Sequence, residues 1–433
     1  MCLLPFVLCS AESEKIFFNK FPIDYISKDI EMLTLENGLR VFSIHTDTHH
    51  ESTVHIVVYA FPRNVVRHNP IIAEILYSIL SCRTRKYDNI SSTFNKFSVL
   101  YGSHLSAKAN VFYALSPSDN LHHVMSIESD RMMKIQLSEE EVKNEKKRYK
   151  DHVYHNLSRD QVLTNNMLDG YLFQGHERVK RDVDDIGIED FIYFHQNYYT
   201  PENARIIVIS SMEHQEVFDM ARDYYASIPN YVQDVISEEK TDDIVYNTKT
   251  VITLDAEYGL EKLKFLYPIP NLSSDTLLPC LVMYHALLNG DYGMIYRSLG
   301  LQKHLVHSVE SSLESILDDE YVMITLTLEH GVDLEHVLLE YKRVIEQLIS
   351  NGFDAQDITR ALSMMRLSFF EDNTGLTNKA ILYTHLVNIG LKEFTDYSKI
   401  RNIIYNLTVD DINTVFYQIF SPGPLVQGVL RIP

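Results

Sequence analysis

Tryptophan is missing from this chain of 433 residues, cysteine occurs four times, and positive charge is scarce, with 39 basic side chains against 59 acidic ones. Cys2, Cys9, Cys82 and Cys280 are too few and too scattered for a disulfide scaffold or a cysteine zinc site. Cys82 and Cys280 read instead as core residues. The formal charge of −20 excludes nucleic acid and anionic membrane as main partners, because both demand dense positive patches. Basic peptides or partner subunits suit such a surface. No run is long and apolar enough to span a bilayer, so no stable membrane insertion is expected. The literal motifs H-E-x-x-H and H-x-x-E-H are absent as well, which removes the usual two-histidine zinc helix.

What remains is the composition of a globular chain, 45% hydrophobic and 23% charged, long enough for two or three domains. Residues 1–11, from Met1 to Ala11, form a short apolar stretch with a small-residue end, compatible with a signal segment although it lacks a basic start. An arginine-rich mitochondrial presequence is not evident, and the compartment stays open between secreted or endomembrane and cytoplasmic. Leu33 to Phe42 holds two apolar-alternating runs joined through Asn37-Gly38, which predicts a β-hairpin with a primed two-residue turn. A strand from Thr53 to Phe61 follows, then Asn69-Pro70 as cap and first turn of an apolar helix from Ile71 to about Cys82. Ser138-Glu139-Glu140-Glu141 reads as a capping box that opens a long helix.

These elements carry a resemblance. The Thr34-Leu35-Glu36-Asn37-Gly38-Leu39-Arg40-Val41 strand and the stretch Thr84-Arg85-Lys86-Tyr87 resemble the inverzincin metallopeptidases, the pitrilysin and insulin-degrading-enzyme family. So do Phe191 to Tyr199 with Thr200 to Val208, and Leu263 to Pro270. The resemblance runs from about Leu33 to the C-terminus. It implies a LuxS/metallohydrolase-like inverzincin fold of α+β class: two homologous domains, each a mainly antiparallel sheet covered by helices, together forming one bowl. The domains expected are 31–230 and 248–433, joined by an acidic, aperiodic linker at 231–247. Because two such bowls close a chamber in the insulin-degrading branch, the resemblance implies a second inverzincin-type subunit or a homodimer as partner.

Active relatives hold zinc through H-x-x-E-H and a later glutamate. The alignment puts Glu74 and Ser78 at the two histidines, Tyr77 at the catalytic base and His152 at the third ligand, while Glu145 falls on the supporting acidic position. Such chemistry needs two imidazoles, a third ligand and a carboxylate to deprotonate bound water, so neither a catalytic residue nor a cofactor is expected here. Glu74, His152 and His155 form the alternative metal set, since His152 and His155 share a helix face. Family members also capture peptides on an edge strand, and Gly102, Ser103, Leu105 and Ser106 occupy that strand. The polarising arginine of active members falls on Gly300, and the tyrosine on Val306 or His307. The expectation is a catalytically silent homologue acting as a structural or peptide-binding subunit. Its alternatives are an active zinc metalloendopeptidase with a rebuilt site, and a core-type subunit of a larger assembly.

Overall fold

The computed structural model describes residues 29–46, 51–61, 70–105, 109–155, 158–172, 183–230, 249–269, 274–288, 292–316, 319–373 and 407–432. Residues 1–11, the linker 231–247, Asn69 and Ser106 lie outside the described residues.

Two sheets organise the chain. The first contains β1 (Ile30–Thr34), β2 (Arg40–His45), β3 (Ser52–Ala60), β4 (Leu100–Leu105), β5 (Ala109–Pro117) and β6 (Ala204–Ser210), in the order β1-β2-β6-β3-β5-β4. The second contains β7 (Thr250–Asp255), β8 (Lys262–Ile269), β9 (Val306–Ile316), β10 (Asp319–Leu328) and β11 (Val426–Arg431), in the order β7-β11-β8-β10-β9. Every pairing is antiparallel except β2 with β6 and β11 with β7. Strand for strand, β2-β6-β3-β5-β4 repeats as β7-β11-β8-β10-β9, with the parallel pair in the same place. The α+β duplication is therefore present in the topology, although little sequence identity marks it.

Helices pack against both sheets. In the first half these are α1 (Pro70–Cys82), α2 (Ile90–Lys96), α3 (Leu121–Met132), α4 (Glu139–His155), α5 (Arg159–Leu172), α6 (Ile188–Tyr198) and α7 (His214–Tyr225). The second half has α8 (Ser274–Leu288), α9 (Leu334–Asn351), α10 (Ala355–Asn373) and α11 (Val409–Phe420). α1 buries Ile72, Ala73, Ile75, Leu76, Ile79 and Leu80, the stripe that 3.6-residue periodicity places on one side. Cys280 is buried, whereas Cys82 is exposed and not a core residue: it ends α1 outside that stripe. The capping box is present at α4, where Glu141 N donates to Ser138 Oγ at 3.2 Å and Ser138 N to Glu141 Oε2 at 3.5 Å.

The hairpin forms, but its turn differs from the primed type. The loop runs from Leu35 to Leu39, and only Gly38 takes a positive φ, +84°. Asn37 is held elsewhere: its Nδ2 donates to the carbonyls of Tyr225 (2.8 Å) and Ile228 (3.0 Å), and its Oδ1 accepts from Leu39 N (3.2 Å). These tertiary bonds determine its conformation in place of local turn preference.

One helix crosses between the halves. α5 belongs to the first half by sequence, yet it lies on the face of the second sheet away from α8, α9 and α11, where Leu163 and Met167 pack with Leu266, Tyr321, Met323, Val426 and Leu430. Gly428 makes the approach possible, since a Cβ there would stand 2.3 Å from Met167 Sδ and 3.3 Å from Leu163. At the rim, buried Lys264 reaches Asp160 Oδ1 at 2.9 Å and Thr164 Oγ1 at 2.8 Å. Burial would raise the Asp160 carboxyl, but Lys264 and Lys262 outweigh it and hold it below its ordinary value. Replacing Gly428 by Leu is expected to cost about 1–3 kcal/mol through overpacking, read as a lower urea midpoint; an unchanged midpoint would mean that α5 does not seat there.

Candidate functional site

The positions singled out by the zinc motif gather where α1, α4 and the edge strand β4 meet. Glu74 is solvent-exposed on α1, one turn before half-buried Tyr77 and Ser78. Ser78 Oγ donates to Glu145 Oε2 at 3.3 Å, and Arg148 pairs with the same oxygen at 2.7 Å. The fold thus brings Ser78 to Glu145, and Arg148 pairs with the carboxylate. His152 and His155 fall in the last turns of α4, with side chains outside the described residues. Among the described residues, no group of three or more His, Cys, Asp or Glu side chains is placed to hold a metal ion.

Tyr77 is engaged with β4. Its hydroxyl donates to the Ser103 carbonyl at 3.1 Å and accepts from Ser103 Oγ at 3.0 Å, while Ser81 Oγ lies 3.0 Å from Ser103 Oγ and donates to the Tyr77 carbonyl at 2.8 Å. The strand register tells which way that carbonyl points. Ala60 N donates to Asn203 O, so even-numbered residues of β3 bond towards β6 and odd ones towards β5. Carrying the alternation across β5 leaves Leu100, Gly102 and His104 bonded to β5 and turns the backbone groups of Tyr101, Ser103 and Leu105 to the open edge. Tyr77 therefore caps an edge carbonyl. Gly102 lies beside it, and a Cβ there would lie 2.3 Å from the hydroxyl of its cross-strand neighbour Tyr113, so a larger residue would have to shift that ring.

The second half repeats this arrangement. On α8, the counterpart of α1, Tyr284 OH donates to the Ser311 carbonyl at 3.0 Å and accepts from Ser311 Oγ at 2.9 Å; Ser311 Oγ also reaches the carbonyl of Leu288, four residues on, at 3.5 Å. Leu328 N donates to Glu261 O, and the same alternation carried through β10 turns Ser311 to the open edge of β9. One helix tyrosine clasps one edge-strand serine in each half.

With that geometry in hand, the comparisons with known proteins are specific. Residues 185–365 match the family model described as the peptidase M16 inactive domain. The zinc protease PqqE of Helicobacter pylori is 20% identical over 246 residues, 55% of this chain and 54% of that protein, so the match spans about half the length of the curated relative. The chain is pitrilysin-like. Its fold is that of a protease from Helicobacter pylori, with a TM-score of 0.81 at 16% identity, covering 93% of this chain and 99% of that one. A peptidase M16 inactive domain from Pseudomonas fluorescens gives 0.76 at 13% identity, over 93% and 97%. The periplasmic protease PqqL from Escherichia coli gives 0.66 at 12% identity, over 94% of this chain and 48% of that one.

In this pitrilysin-like chain the positions expected for the carbonyl-polarising arginine and tyrosine are built otherwise. Gly300 lies in the π-helical turn Arg297–Gln302, where a Cβ would stand 2.5 Å from the Tyr296 ring. Val306 is buried, and exposed His307 faces Glu329 with Nδ1 3.6 Å from Oε1. Sequence reasoning missed Ser81, Tyr284 and Ser311. The signal was a shared pattern, Ile75-Leu76-Tyr77-Ser78-Ile79-Leu80 against Val282-Met283-Tyr284-His285-Ala286-Leu287, with the tyrosine in register.

A buried polar layer supports the clasp from below. The Tyr77 ring lies 6.4 Å from that of Phe112, and the Arg131 guanidinium sits 3.8 Å over the centre of the Phe112 ring. Arg131 makes a bidentate pair with Glu128 at 2.9 and 3.0 Å, both residues being buried. His195 Nε2 stands 2.9 Å from the Arg131 carbonyl, and His55 Nε2 3.1 Å from Tyr225 OH. Burial pushes the His55 and His195 imidazoles down to about 4, against the opposing pulls of Glu128 and the Arg131 carbonyl respectively.

Since both histidines bind protons less readily folded than unfolded, their contribution is intact above about pH 6.5 and is lost as pH falls towards 4, by about 3 kcal/mol each. Urea unfolding across that window is expected to show His195→Gln with a pH slope shallower than the parent's by up to about 1.4 kcal/mol per unit; equal slopes would refute the burial of a neutral His195. Tyr77→Phe and Tyr284→Phe are each expected to lower stability by about 1 kcal/mol, the net worth of a hydrogen bond, in chemical denaturation. Values within error of zero would show that the clasps contribute nothing.

Proposed function

We propose that this chain is a catalytically silent peptidase M16-type protein, acting as a structural or peptide-binding subunit that pairs with a second M16-type half, from a relative or from another copy of itself. The observation that carries this reading is the hydroxyl of Tyr77. Where the mechanism of active relatives requires a carboxylate to take a proton from metal-bound water, this chain has a side chain committed to a strand, in the same way as Tyr284 in the other half. Ser78 and exposed Glu74 add no imidazole.

The match to 48% of PqqL, whose first half is also a solved structure at a TM-score of 0.66, supports a partner that completes the assembly. The open edge of β4, with Leu100 and Tyr101 exposed, supports peptide binding by strand addition. The acidic balance of 59 to 39 favours a basic ligand.

The deciding experiment measures zinc in the purified chain by plasma mass spectrometry, together with hydrolysis of a mixed quenched-peptide library with and without chelator. Metal-free, inert protein is expected. Near-stoichiometric zinc with chelator-sensitive cleavage would overturn the silent reading and make Glu74, His152 and His155 the residues to replace.

A further inference from the structure

Strand addition needs the outward carbonyls of an edge strand to accept amide protons from the incoming peptide. On β4 three residues, Tyr101, Ser103 and Leu105, turn their backbone groups outward, and the carbonyl at the centre of that row already accepts from Tyr77. The stopper is well anchored. Its hydroxyl also accepts from Ser103 Oγ, which is in turn bridged to Ser81, and its ring is backed by Phe112.

We infer that Tyr77 is an intramolecular stopper on the β4 edge: its hydroxyl occupies the position of a peptide N–H, and an extended peptide pairs with β4 only by displacing it. This inference rests on the peptide-binding reading above and deepens it. Tyr284 on Ser311 is the same device on β9. Two independent tyrosines capping outward carbonyls at equivalent places in both sheets argue that the contact guards the edges and is no accident of one loop. Exposed edges are places where unwanted strand pairing begins. A hydroxyl closes the edge without the rigid block of a covering element, because one side-chain rotation reopens it.

The test measures fluorescence anisotropy of a fluorescein-labelled, alternating lysine–valine octapeptide, basic to suit the acidic chain and extended by its valines. The parent, Tyr77→Phe and Ser103→Ala are compared, with a peptide N-methylated at every backbone amide as a blank that has no backbone N–H to donate. Phenylalanine keeps the ring on Phe112 and removes the competing donor, so affinity for the octapeptide is expected to rise about tenfold, with no binding of the blank. Ser103→Ala leaves the carbonyl but loosens the tyrosine, and is expected to shift affinity in the same direction by less. Equal affinity of parent and Tyr77→Phe would leave the peptide-binding reading standing and overturn the stopper. Failure of all three proteins to bind would overturn the peptide-binding reading and the stopper with it. Should Tyr77→Phe not fold, Ser103→Ala decides, with unchanged affinity counting against the inference.

Discussion

The seating of α5 against Gly428 is the contact on which the two-sheet architecture depends. A sheet buried on one side only leaves its other apolar face to water, and the second sheet has such a face in Leu266, Tyr321, Met323, Val426 and Leu430. Its own half supplies α8, α9 and α11 to the opposite side. The helix that covers the remaining face comes from the first half, and it packs closely where Gly428 of β11 has no side chain. Lys264 and Asp160 then orient the helix at its rim, a buried lysine being tolerable only with its carboxylate partner. Through this crossing helix the halves are packed together as well as joined in sequence.

Within that frame lies the candidate site. Metal-dependent peptide hydrolysis needs protein ligands for the metal and a base for its bound water. Here α1 presents a tyrosine hydroxyl to a backbone carbonyl and a serine to a glutamate that pairs with an arginine. The first half thereby has the same helix-to-edge contact as the second. A hydroxyl is suited to this task because it donates and accepts at once, and both capacities of Tyr77 are used by one residue, Ser103. The layer beneath stacks Phe112 on Arg131, whose guanidinium pairs with buried Glu128 and whose carbonyl meets the neutral imidazole of His195.

Several features were legible in the residues. Alternation placed β3 to within one position, the apolar stripe placed α1, and the serine and glutamate of the capping box placed the start of α4, since each is a local rule of backbone and side-chain geometry. The turn at Asn37-Gly38 was misread in type because the asparagine amide serves carbonyls nearly two hundred positions away. Cys82 was misread as core because periodicity alone does not show where the last turn of a helix leaves the sheet.

By itself, then, the sequence determined the class of fold, the order of its elements and the absence of an H-E-x-x-H or H-x-x-E-H motif, all of which are properties of residue type and short-range spacing. Tertiary structure alone decided what the side chains of α1 contact. Which of the three outward groups of β4 is capped, that Ser78 meets Glu145, that α5 crosses to the other sheet and that Tyr284 repeats Tyr77 all depend on register and on contacts between distant segments. No local pattern encodes these, because a shift of one residue in strand register would turn the Ser103 carbonyl inward and leave the same tyrosine without its partner.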